Sequence, residues 1–151
     1  MTCFRAFAAF SLSLWAGAGA AAEPPTVTDA WVRATPPGAT TAAAYLTITN
    51  AGAADRLLGA ATSAARAVEI HTHVVDGGLH RMVRVEDLTL PAGEAVRLEP
   101  GGLHLMLVDL ATPLAAATTV ALSLRFANAG TLELEVPVVD ARTAPATRAA
   151  H

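Results

Sequence analysis

Lysine is absent from this chain, cysteine occurs once, and aromatic residues make up only 5% of its 151 residues. Each shortage excludes something. All ten basic residues are arginine, scattered from Arg5 to Arg148, and the formal net charge is −3. Without a basic stripe, nucleic acid is not an expected partner. Beyond residue 22 the aromatics are Trp31, Tyr45 and Phe126 alone, too few for a stacking platform; Trp31 and Tyr45 read most simply as core residues. No Ser-His-Asp set and no paired carboxylates stand out, so the chain is not expected to be an enzyme.

The one thiol, Cys3, belongs to an N-terminal segment with the marks of an export signal. Arg5 supplies a positive charge, Ala6 to Trp15 an apolar stretch, and Ala18-Gly19-Ala20 or Ala20-Ala21-Ala22 a small-residue cleavage site. The apolar stretch, Ala6 to Ala22, falls short of the roughly 20 residues that span a bilayer. Residues 1–22 are therefore expected to be a signal peptide and the protein periplasmic, touching membrane only if the leader stays uncut. Cys3 precedes the apolar run and is badly placed for lipidation. Cleavage would leave no disulfide, thiolate ligand or cysteine nucleophile, so the exported domain must be held by its core.

What remains is rich in short β-type runs. The expected strands are Val27–Arg33, Ala42–Thr49, Arg56–Thr62, Ala67–Val75, Leu79–Val85, Ala95–Glu99, Leu103–Asp109, Thr118–Phe126 and Thr131–Val138. Turn clusters such as Pro36-Pro37-Gly38, Asp76-Gly77-Gly78 and Pro100-Gly101-Gly102 divide them. No 3.6-residue apolar period persists, although Ala111–Ala117 has room for a helical turn. The pattern predicts a single all-β domain over residues 23–140, a β-sandwich, followed by a mobile tail over 141–151.

Only two methionines lie beyond the leader, and both keep step with histidines as His71-x10-Met82-x21-His104-x-Met106. Thioether sulfur is a soft neutral donor and imidazole a borderline one, a mixture that suits Cu(I) better than zinc, magnesium or calcium. Strand alternation puts Glu69, His71, His73 and Val75 on one face, and turns His104 and Met106 outward while Leu103, Leu105 and Leu107 face the core. Asp76-Gly77 as a two-residue type I′ turn would set His71 opposite Met82 and His73 opposite His80. Gly77-Gly78 as the turn would instead set His71 opposite Arg84 and His73 opposite Met82. Both registers keep the donors on one face. His73 and His80 are candidate auxiliary ligands. Glu69, a carboxylate ill-suited to Cu(I), reads as a solvated charge.

These residues resemble the periplasmic copper chaperone family PCu(A)C, whose signature His71, Met82, His104 and Met106 match position for position. The similarity extends to Ala30–Gly38, Ala43–Leu46, Val68–His71, Pro100–Leu107 and Val136–Val138, and covers roughly residues 27 to 139. It implies a cupredoxin-like, immunoglobulin-like β-sandwich that binds one Cu(I) at a solvent-facing site. It further implies a monomer that passes copper to the binuclear copper site of cytochrome c oxidase, with the copper-bearing oxidase subunit and Sco-like thioredoxin-fold proteins as partners. Many relatives have Met where this chain has His73, and some carry a His- and Met-rich tail where this one ends in a lone His151. A copper storage or resistance protein is the alternative. A blue-copper electron carrier is excluded, because that site needs a cysteine thiolate.

Overall fold

A computed structural model describes residues 23–144; the leader with Cys3, and the chain end with His151, lie outside the described residues. Ten strands follow one another: Thr26–Arg33 (β1), Thr41–Thr49 (β2), Asp55–Ala61 (β3), Ala65–Asp76 (β4), Leu79–Val85 (β5), Leu88–Leu90 (β6), Ala95–Leu98 (β7), His104–Leu110 (β8), Thr119–Phe126 (β9) and Thr131–Val139 (β10). Period-two burial drives them. Along β9, Val120, Leu122, Leu124 and Phe126 are buried while the residues between them are not. The expected strands all form. β6 was not anticipated, because three residues are too few to show alternation; Leu88 and Leu90 nevertheless both reach the core. Ala111–Ala117 forms no helix. Leu114 is pinned there, its carbonyl accepting from Thr35 N–H at 2.9 Å and its N–H donating to the Thr35 hydroxyl at 2.8 Å.

The sandwich closes on itself. The ladder runs β4–β8–β2–β1–β10–β9–β3, and β3 returns to β4 through Ala60 and Val68. β1 and β10 pair in parallel, Val32 with Val138, and β5, β6 and β7 are appended to the ring. Inside lie Leu46, Leu57, Leu105, Leu107, Leu122, Leu124 and Val136, fully removed from solvent. This is the all-β, cupredoxin-like sandwich expected from the sequence.

Two irregularities shape the outer face of the sheet. The register between β1 and β2 shifts by one residue between Thr28 and Trp31, where Asp29 takes a φ of 53°. Such a bulge re-aims the side chains beyond it. Trp31 therefore turns to the outer face and meets Tyr45 at 4.6 Å between ring centres. Both rings are buried, as expected, but they stand apart from the main core cluster, on the other side of the sheet. The second irregularity is β4, which pairs with β8 only as far as His71 and then continues to Asp76 with β5 alone. A hairpin thus projects beyond the barrel wall.

A buried carboxylate ties one end of the barrel together. Asp55 accepts the N–H groups of Arg56 at 2.7 Å, Asn128 at 2.9 Å and Ala129 at 2.9 Å. Burial pushes its carboxyl up, but these donors outweigh that and hold it below the usual aspartate range. Its contribution is accordingly complete above the unfolded value of about 3.9 and is lost as pH falls through the lower folded value. Asp55→Ala, which strands these donors, is expected to cost about 2–4 kcal/mol at neutral pH. Urea melts at pH 7 and pH 3 check it: the gap between variant and parent should narrow in acid.

Candidate metal centre

His71 is the residue at which β4 changes partner. It faces His104 on β8 and Arg84 on β5. One step along the same face, Glu69 lies opposite Met106; one step the other way, His73 lies opposite Met82. Directly opposed residues in an antiparallel pair project to the same side, and so do residues two apart on a strand. His71, Met82, His104 and Met106 therefore share the outer face with His73, Glu69 and Arg84.

The hairpin register is not the first one expected. Asp76 pairs with Leu79, so Gly77-Gly78 makes the turn and His71 stands opposite Arg84 rather than Met82. The reason is conformational. A type I′ turn needs positive φ at both central residues, and Gly77 and Gly78 supply 58° and 82° without the strain an aspartate would bear. His80 lies two pairs beyond Met82, opposite Val75, and is exposed.

The imidazoles draw together more closely than the spacing alone suggests. Ring centres are 5.9 Å apart for His71 and His104, and 5.3 Å for His73 and His104. Two imidazoles sharing one ion at a metal–nitrogen distance of about 2 Å have ring centres roughly 5–6 Å apart. Hydrogen bonds then decide which nitrogens are free. His104 Nδ1 donates to the Gly102 carbonyl at 3.0 Å, because a carbonyl can only accept, and this leaves Nε2 with its lone pair. His71 Nε2 donates to the Glu69 carboxylate at 2.8 Å, while His71 Nδ1 is buried with no partner. A buried acceptor left unpaired costs about 1–3 kcal/mol, which an incoming Lewis acid would recover.

Exposure is graded across the patch. His104 is only 3% exposed, whereas Met82 on the projecting hairpin is 46% exposed. Outward orientation thus does not leave His104 wet: the Tyr45 ring, at 6.3 Å between centres, and the two neighbouring imidazoles cover it. That burial is the main reason its pKa lies below the ordinary imidazole value; the Gly102 carbonyl opposes the shift, and His73 and His71 add to it. Met106 is partly buried and lines an open recess together with Arg33, Pro36, Ala42 and Ala43. Among the described residues no three His, Cys, Asp or Glu side chains form a group that could hold a metal ion.

The sequence matches the family described as "Putative lipoprotein LpqE-like" over residues 25–138. It is 36% identical over 124 residues to a putative lipoprotein of Leifsonia xyli subsp. xyli, covering 81% of this chain and 74% of that one. Among solved structures it resembles the copper-bound PCuAC domain from PmoF2, with a TM-score of 0.68 and 26% identity over 80% of this chain and 97% of the other. It also resembles the Cu(I) form of DR1885 from Deinococcus radiodurans, with a TM-score of 0.65 and 36% identity over 82% and 84% of the two chains. The chain is an LpqE-like member of the PCu(A)C family.

In this PCu(A)C protein, sequence reasoning passed over two parts of the patch. Glu69 is no merely solvated charge. The hydrogen bond from His71 holds its carboxyl below the usual range; burial opposes this, and Arg84, whose guanidinium lies 3.5 Å away, supports it. Its place on the His71 face is legible from alternation; its bond is not, because that depends on side-chain rotamers which alternation leaves open. The Trp31–Tyr45 pair was invisible for a different reason. It depends on a bulge between β1 and β2, and its approach to His104 on the pairing of β2 with β8, neither of which leaves a local mark.

Proposed function

We propose that this protein is an exported Cu(I) carrier that binds one ion through His71, Met82, His104 and Met106. The observation that carries the reading is the free lone pair on each of two adjacent imidazoles, one of them buried and unpartnered, on the face that also holds both thioethers. The PmoF2 and DR1885 relatives with copper bound support it. His73 is close enough to His104 to assist, and His80 sits further out along the hairpin.

A carrier must release what it holds. Thioethers stay unprotonated in acid and, unlike thiolates, do not form disulfides in an oxidising compartment. Neutral donors leave the positive charge on the ion, and Met82 on its exposed hairpin is open to exchange with a partner's ligand. The periplasm is the compartment, and the copper-bearing subunit of cytochrome c oxidase, with Sco-like proteins, is the recipient system this chemistry suits.

Titration of residues 23–151 with Cu(I) against a competing chelator tests the reading. One tightly held equivalent, surrendered to an apo oxidase fragment, is the expected result. Several equivalents would favour storage, and no uptake would leave a β-domain without this role. Imidazoles must be neutral to bind, and at His104 proton competition sets in only below the ordinary value of about 6.5.

A further inference from the structure

We propose that Glu69 is a positioning residue that fixes the His71 tautomer, so that His71 offers copper its Nδ1 while His104 offers Nε2. The inference rests on the Cu(I) reading of the patch and adds to it an asymmetry that the identity of the four donors does not contain.

An ionised carboxylate can only accept, so the 2.8 Å contact places the ring proton of neutral His71 on Nε2. The other nitrogen is then a lone pair, and it is the buried, unpartnered one. At His104 the arrangement is reversed, because the Gly102 carbonyl claims Nδ1. One ring is thus oriented by a side chain and the other by the backbone. Only the first can be removed by substitution.

Glu69 is itself held in place. Its second oxygen lies 3.5 Å from Arg84, which stands opposite His71 on the hairpin strand. The carboxylate therefore bridges β4 to the base of the projecting hairpin while it orients the ligand. A carboxylate behind a ligating imidazole fixes ring orientation and raises ligand basicity, and its loss typically costs about 10–100-fold in metal affinity.

The test reads the tautomer without metal and the affinity with it. In the apo protein, the ¹⁵N shifts of neutral His71 should show Nε2 protonated and Nδ1 bare. Glu69→Leu should abolish that preference and weaken Cu(I) binding about 10–100-fold. Glu69→Gln, whose amide oxygen still accepts from Nε2, should keep the tautomer and recover most of the affinity. A wild-type protein that binds Cu(I) with His71 protonated on Nδ1 overturns this inference alone, as does Glu69→Leu with tautomer and affinity unchanged. The predicted tautomer with no Cu(I) uptake overturns the copper reading, and the donor assignment with it.

Discussion

Replacing either Met82 or Met106 with leucine should weaken Cu(I) binding by roughly a hundredfold or more while leaving the fold intact. The magnitude follows from comparison: loss of a group behind a ligand costs about 10–100-fold, so loss of a donor atom should reach or exceed that range. Leucine nearly conserves volume and apolar character, and such swaps usually cost under about 1.5 kcal/mol even in a core. Met82 is half exposed, and Met106 borders a recess with room for adjustment. Chelator competition should therefore separate the variants from the parent, while their denaturation midpoints stay close to it. Unchanged affinity in both would show that sulfur takes no part, and the carrier reading would lose its chemistry.

The largest expected loss of stability lies directly behind those donors. Leu105 sits between His104 and Met106 on β8, points inward and is completely buried. Truncation to alanine removes apolar contacts and opens a cavity that a closed barrel cannot readily collapse, at about 2–5 kcal/mol. The variant should melt well below the parent in the apo form. Saturating Cu(I) should recover part of the loss, since a ligand at 100 times its Kd contributes about 2.7 kcal/mol to the state that binds it. An apo midpoint equal to the parent's would mean that the wall behind the site is not tightly packed.

Legibility of the fold followed the range of the interactions. β9 and β8 could be read from alternation, because each residue's face depends only on its neighbours in sequence. The ring closure could not, since the contact of Ala60 with Val68 and the parallel pairing of Val32 with Val138 depend on where distant strands lie. The hairpin turn departs from the first expectation for a local reason: two consecutive glycines able to take positive φ together outweigh the Asp-Gly preference. The four candidate donors were legible as a set through spacing and parity, which survive either register. Glu69 and Tyr45 were not, because their roles arise from what stands across the sheet.

Closure of the barrel has a consequence for aggregation. Strand edges with unmet backbone groups invite pairing with other chains, and a closed ring removes them. Among the described residues the appended strands each keep an outer edge, and β6 and β7 are merely three and four residues long. The seven-residue β5, with Met82 and Val83 exposed, is the longest of the three. Arg81 and Arg84, both more than half exposed, stand guard along it. Uncharged replacements there would leave β5 an apolar edge open to pairing with other chains.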